Sequence, residues 1–312
     1  MSGLSDEVWD RLLDRIAKGK VTPIIGREVC SADAPAGADP AKWNFKYPLD
    51  PGLSRRWAQD VGYPFADVEN LERVAQFVAI QRDQAAAKEF IEKLLAKAPP
   101  PDFSCENEPH RILAELPFPI YLTSNYDNFL TQALTRKPEK NPRPLLCRWN
   151  EHLPDDDPIY DTKGDKPTVA NPIVFHYFGR SDYPESLVLT EDDQYDFLTS
   201  LSRDGEELTN LRVKAAIGST SLLFIGYTLR DREFLLLFRT LAAFILQRDL
   251  RTHVAVQMAP STVPTINPEK ALSYLNSYFK TFNTEIYWGD SKQFVAELWS
   301  RWKKFQQNPD VQ

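Results

Sequence analysis

The sequence predicts an α/β protein whose sheet holds about six mostly parallel strands flanked by helices, with a helical insertion. Two observations carry that reading. Short strand-like apolar runs recur at 21–25, 118–122, 173–178, 221–225, 252–257 and 284–288. Helix-period apolar sets stand between or beside them: Trp9/Leu12/Leu13/Ile16, Leu71/Val74/Ala75/Val78, Phe90/Ile91/Leu94/Leu95, Leu272/Leu275/Phe279 and Val295/Leu298/Trp302. Each run is followed, or nearly so, by a turn signal and a helical pattern, which is how parallel strands are connected.

The first strand, Val21 to Ile25, follows an acidic amphipathic helix over 5–20. The region 54–116 has mainly helical patterns and ends near Pro99, Pro100 and Pro101, so it reads as a helical subdomain inserted between the first and second core strands. Residues 137–172 are rich in proline and acid with little periodicity, which predicts a surface excursion. The remaining strands alternate with helices, so 1–312 reads as one domain. A segment over about 231–247 is apolar nearly all round, which predicts burial in a core or an oligomer interface.

Bulk properties exclude several classes. A hydrophobic content of 42% places the chain among folded proteins rather than disordered ones. The net charge of −7 argues against sequence-independent nucleic-acid binding, which needs a positive field. The longest apolar stretches are broken by Arg239, so no membrane span is expected, and the opening helix is not a signal peptide; the cytoplasm is the expected location. Cys30, Cys105 and Cys147 are widely spaced with no Cys-x-x-Cys pair, so neither a zinc ribbon nor a disulfide framework is supported, and no metal is expected.

Candidate site residues fall where strands end. Leu-Thr-Ser-Asn-Tyr-Asp (122–127) closes a buried run with Asn125 and Asp127 at the carboxyl end, where parallel sheets build ligand sites. The same residues could simply cap the helix carrying Phe129, Leu130 and Leu134. Gly26 ends the first strand and would admit a phosphate close to the backbone, with Arg27 beside it; ordinary turn formation explains that glycine about as well. Gly226 repeats the design, and Thr228 offers a hydroxyl. His176 precedes Phe178 by two positions, which places both on one strand face; a histidine in such a run is more often packed core than catalyst. Gly289 with Asp290 closes the sixth run and could face a ribose or form a turn. No hydrolase triad or metal-ligand spacing involves these groups, and no Gly-x-Gly-x-x-Gly follows the first strand.

Taken in order, the motifs at 23–30, 122–127, 175–179, 187–193 and 224–231 resemble those of bacterial sirtuin-like proteins, the branch associated with NAD depletion in anti-phage defence. The resemblance runs from about residue 8 to residue 303. It implies a Rossmann-like sheet with NAD across the strand ends and a helical module beside it. It also implies that Asn125, Asp127 and a histidine serve cleavage of the nicotinamide–ribose bond, and that Gly226, Tyr227 and Thr228 contact the nucleotide; Gly26, Arg27, Thr123 and Gly289 complete the expected nucleotide-binding set. Partners implied are NAD or a related nucleotide, and a homo-oligomer or a complex with another defence protein.

Two departures from the family pattern bear on activity. The usual second glycine of the first loop is Glu28, and the histidine that stands before glycine is Phe178. One reading is therefore a degenerate pocket that senses a nucleotide or supports a complex. The alternative is an active NAD glycohydrolase in which His176 takes over, although its Cβ would be displaced by about 7 Å, two strand rises. Zinc-dependent deacylation is not implied, because the paired cysteines are missing.

Overall fold

The structure, a computed structural model, describes residues 3–30, 47–50, 52–150, 153, 158–160, 166–208, 211–227, 252–257 and 266–307. Thr228 and the apolar segment 231–247 lie outside the described residues.

Seven strands among these residues form one parallel sheet: β1 (Val21–Ile25), β2 (Ile120–Thr123), β3 (Arg143–Leu146), β4 (Ile173–His176), β5 (Ser221–Ile225), β6 (His253–Gln257) and β7 (Thr284–Trp288). Their order across the sheet is β3-β4-β2-β1-β5-β6-β7, and every pairing is parallel. The expected α/β architecture is borne out, with one strand more than periodicity predicts. The extra strand is β3, which lies inside 137–172. Four residues are too few to show alternation, and Pro144 is tolerated because β3 is an edge strand.

Every residue of β1, β2, β4 and β5 is buried, which explains why these strands read as continuous apolar runs. Five helices form where the periodicity placed them: α1 (Asp6–Ala17), α3 (Leu71–Gln81), α4 (Gln84–Ala96), α9 (Pro268–Lys280) and α10 (Ser291–Gln306). Short helices α2 (Leu53–Val61), α5 (Pro109–Glu115), α6 (Phe129–Thr135) and α8 (Leu211–Ile217) join them, with the longer α7 (Glu191–Leu208). Ser5, Asn70, Asp83, Glu108, Asn267 and Asp290 each accept a first-turn N–H, a cap that contributes about 1 kcal/mol. Four of the helices, α2 to α5, lie between β1 and β2. Stacking of Trp9 on Phe294 at 5.3 Å joins α1 to α10, and Trp57 on Phe90 at 4.3 Å joins α2 to α4.

The aromatic run after β4 behaves differently from its sequence pattern. β4 stops at His176, and Tyr177 and Phe178 form a turn into Gly179, which has φ +85°. His176 and Phe178 therefore do not share a strand face. Phe178 is buried against Phe197 of α7 at 5.2 Å and lies 6.2 Å from Tyr177.

Candidate functional site

The strand order switches sides between β1 and β5, because β2, β3 and β4 are all laid on one side of β1 and β5, β6 and β7 on the other. Ligand crevices form at the carboxyl ends of strands at such a switch point. The loops after β1, β2, β4 and β5 hold most of the candidate residues.

Gly26 and Gly226 face each other. Gly26 donates its N–H to the Ile225 carbonyl at 2.8 Å, and the Glu28 N–H reaches the Gly226 carbonyl at 3.0 Å. A Cβ on Gly226 would meet the Gly26 carbonyl oxygen at 2.6 Å, and one on Gly26 would meet the Tyr227 ring at 2.7 Å. Each glycine thus serves the approach of the other loop. Tyr227 is buried on this contact and donates its hydroxyl to the Ile25 carbonyl at 3.1 Å. Arg27 is half-buried and Glu28 exposed, in a short 3-10 helix over Arg27–Cys30. The cost of burying a carboxylate beside a pyrophosphate therefore does not arise for Glu28.

Thr123 ends β2 and ties it to β1. Its hydroxyl donates to the Ile25 carbonyl at 3.1 Å and accepts the Asn125 N–H at 3.0 Å. That turn buries Ser124 and Asn125, each 5% exposed. Ser124 Oγ and Asn125 Oδ1 have no hydrogen-bond partner among the described residues. His176, at the end of the neighbouring β4, donates Nδ1–H to the Asn125 backbone carbonyl at 3.2 Å, and its Nε2 is buried with no partner among the described residues. Burial, reinforced by the Arg180 charge, lowers the His176 pKa to about 3. The ring is therefore neutral at physiological pH and presents a lone pair at Nε2.

Asp127 does the capping that the sequence allows, since Oδ1 accepts the Phe129 N–H at 3.0 Å. Its Oδ2 accepts from the Tyr47 hydroxyl at 2.8 Å and lies 3.8 Å from Cys30 Sγ. Gly289 follows β7 at the far edge of the sheet, four strands from β2, and is set by Tyr287, whose ring a Cβ there would meet at 2.7 Å. The structure thus brings Thr123, Asn125, Asp127 and His176 together and leaves Gly289 apart.

Sequence reasoning missed Tyr47, Glu108 and His110, which gather with Cys30 around Asp127. His110 Nδ1 is 2.7 Å from Glu108 Oε1, and its Nε2 is 3.6 Å from Cys30 Sγ. Burial, then the Asp127 and Glu108 charges, push the Cys30 thiol well above its ordinary pKa. Burial alone would lower the His110 pKa, but the Glu108 and Asp127 carboxylates outweigh it and raise it. Only Cys30 belongs to a quoted motif; the others come from separate segments with no spacing signal.

A parallel α/β sheet of this strand order defines a protein of the doubly wound class, here with buried polar atoms at adjacent strand ends that have no partner among the described residues. A sequence model of the family described as SIR2-like domain matches residues 119–282, just over half of the chain. The chain belongs to that SIR2-like family. It is 30% identical to an NAD(+) hydrolase ThsA from Cytobacillus dafuensis over 135 residues, 42% of this chain and 24% of that protein. It is 31% identical to an NAD(+) hydrolase ThsA from Enterococcus faecium over 127 residues, 40% of this chain and 23% of that one. The match thus spans about a quarter of the length of these curated relatives. A solved chain described as "Structural Basis for the Mechanism and Regulation of Sir2 Enzymes" aligns with a TM-score of 0.43 and 11% identity, covering 98% of this chain and 100% of that one. Among the described residues no helix is long and apolar enough to cross a membrane.

Proposed function

We propose that this chain binds NAD, or a closely related dinucleotide, at the ends of β2 and β4 and hydrolyses its nicotinamide–ribose bond. The observation that carries this reading is the trio Ser124 Oγ, Asn125 Oδ1 and His176 Nε2. All three are buried without a partner among the described residues, and orphaned polar atoms of this kind are costly unless something binds them. Relatives named as NAD(+) hydrolases supply the substrate class.

In this reading Asn125 Oδ1 accepts a hydrogen bond from the attacking water. His176 Nε2 accepts a hydrogen bond from the same group and so orients it. Water adds to the ribose carbon while the carbon–nitrogen bond breaks. The bonding pair neutralises the pyridinium nitrogen, nicotinamide leaves uncharged, and one proton passes to solvent. Asp127 supports the loop from behind through Tyr47 and the Phe129 N–H.

Both arguments for a degenerate pocket lose force in this fold, because Phe178 is a core residue and Glu28 is exposed. A second reading, binding without turnover, is favoured by one observation: a histidine with a pKa of about 3 is a weak base. Such a chain would act as a nucleotide sensor or as a structural partner. A cytoplasmic role in anti-phage defence, as a homo-oligomer or with another defence protein, belongs to the same proposal. So does the reading of α2 to α5 as a helical module beside the pocket.

The test is nicotinamide release from NAD by the purified chain, alone and with candidate partners. Asn125→Ala should reduce turnover at least ~100-fold, the scale of losing a positioned polar group at the reacting centre. NAD binding by calorimetry with no nicotinamide release would select the sensor reading, and neither binding nor release would overturn both.

A further inference from the structure

Three elements far apart in sequence deliver three metal-ligating side chains to one buried point. Cys30 ends the 3-10 helix after β1, His110 lies in the first turn of α5, and Asp127 follows β2. Cys30 Sγ, His110 Nε2 and an Asp127 carboxylate oxygen all lie within 4.8 Å of one another, and all three residues are buried. We propose that Cys30, His110 and Asp127 form a binding site for a divalent zinc-class ion, with Glu108 and Tyr47 fixing the ligands from behind.

The two spacings from sulfur fit an ion. Zinc–sulfur bonds of about 2.3 Å and zinc–nitrogen or zinc–oxygen bonds of about 2.0–2.1 Å, arranged tetrahedrally, separate the sulfur from each nitrogen or oxygen donor by about 3.6 Å. Sγ lies 3.6 Å from His110 Nε2 and 3.8 Å from Asp127 Oδ2. Those distances are long for strong hydrogen bonds and close to the edges of that tetrahedron.

The surrounding contacts are those a metal needs. His110 Nδ1 is held by Glu108 Oε1 at 2.7 Å, which leaves Nε2 to face the other two ligands. A carboxylate behind the ring is the usual support of a metal-bound histidine. Tyr47 donates to Asp127 Oδ2 at 2.8 Å, and Asn125 donates Nδ2–H toward Cys30 Sγ at 3.6 Å, a contact that favours a thiolate. The three ligands and Glu108 put two carboxylates and a thiol in one buried cluster; the buried Lys292 acts on Cys30 and His110 from nearby, and a divalent ion would place further positive charge where the ligands converge. On binding, the Cys30 S–H bond breaks, the sulfur pair forms the bond to the ion, and the thiol proton passes to solvent. Any second proton on His110 leaves the same way.

A nucleophilic cysteine is the competing use of a Glu–His–Cys arrangement. It requires an accessible thiolate, whereas Cys30 is 1% exposed. The site ties the loops after β1 and β2 to α5, so the ion would brace the loop that carries Asn125. It does not depend on NAD cleavage.

The experiment uses the full chain and zinc alone. Purified without chelator, or titrated with zinc chloride, the protein should hold about one zinc per chain by elemental analysis. Cobalt substitution should give a sulfur-to-cobalt charge-transfer band with intense tetrahedral ligand-field bands. Cys30→Ser and His110→Ala should each abolish the band and weaken zinc binding more than ~100-fold, Glu108→Gln should weaken it ~10- to 100-fold, and Cys105→Ser and Cys147→Ala should leave it unchanged. Zinc should raise the wild-type Tm, and a chelator should reverse the rise. If Cys30→Ser fails to fold, the wild-type cobalt spectrum decides. Absence of stoichiometric zinc, of the sulfur band and of any zinc effect on Tm would overturn the site, as would retention of zinc by both ligand variants. Nicotinamide release, measured separately, would stand or fall on its own.

Discussion

His176 at the end of β4 donates its Nδ1 proton to the backbone carbonyl of Asn125, 3.2 Å away. A carbonyl oxygen can only accept, so the proton sits on Nδ1 and the Nε2 lone pair is left over. One hydrogen bond therefore fixes the tautomer and ties two neighbouring strand ends together.

Burial gives the same ring a pH signature. His176 takes up a proton near pH 6.5 in the unfolded chain and near pH 3 in the folded one, where burial and Arg180 oppose charging and the Asn125 hydrogen bond and Asp182 only partly offset them. Between those values the unfolded chain binds more protons, so this contribution is complete above pH 6.5 and falls away as the pH drops. Wild type should lose about 2 kcal/mol more stability than His176→Gln between pH 7.5 and pH 5. Urea denaturation at the two pH values measures the difference. Parallel losses would show that His176 is not held neutral. His110, whose pKa is raised, works in the opposite sense: its contribution is complete below pH 6.5 and is lost as pH rises through the folded pKa.

Phe178→His separates position in a motif from position in space. Were residue 178 the catalytic position, a histidine there would restore or raise NAD cleavage. Packed against Phe197 and Tyr177, it should instead bury a polar ring and cost about 2–4 kcal/mol with no gain in nicotinamide release. Thermal unfolding and the nicotinamide assay read the two effects on one sample.

Much of the sheet was legible because its strands are buried on both faces and read as unbroken apolar runs. β3 was not, since Arg-Pro-Leu-Leu is short and sits within a proline-rich stretch. The end of β4 was misplaced by two residues because Tyr177 and Phe178 continue the aromatic run although Gly179 turns the chain. At the site, Asn125 and His176 were legible as polar residues where strands stop. Cys30, His110 and Asp127 were not legible as a cluster, since proximity across 97 positions is a property of the fold and not of spacing.

A buried ion pair gives the motif at 187–193 a structural meaning. Lys88 Nζ of α4 lies 3.0 Å from Asp193 Oδ1, while Asp193 Oδ2 accepts the Leu189 and Thr190 N–H groups at 3.0 and 2.9 Å. Lys88→Met leaves a buried carboxylate without its cation and should cost about 3 kcal/mol. Asp193→Asn should cost a similar amount. The double variant should cost at least ~1 kcal/mol less than the two single losses together, because the pair is then removed as a unit. Additive losses in denaturant unfolding would show that the pair is not coupled.

Two glycines that both have positive φ isolate the cost of loop approach. Gly62, at the end of α2, has φ +67°, and a Cβ there would meet nothing within 4 Å. Gly226 has φ +83°, and its Cβ would meet the Gly26 carbonyl oxygen at 2.6 Å and the Val29 backbone nitrogen at 2.9 Å. Alanine at 62 pays only for the left-handed conformation, about 1 kcal/mol. Alanine at 226 pays that and must also part the β1 and β5 loops, breaking the Glu28 N–H bond to the Gly226 carbonyl. Its loss should exceed that of Gly62→Ala by at least ~1–2 kcal/mol, the scale of forced overpacking. The displaced loop carries Arg27 and Cys30, so ligand and zinc binding should weaken in Gly226→Ala and not in Gly62→Ala. Equal losses from the two substitutions would mean that the loops can separate freely, and the switch point would then not depend on glycine at 226.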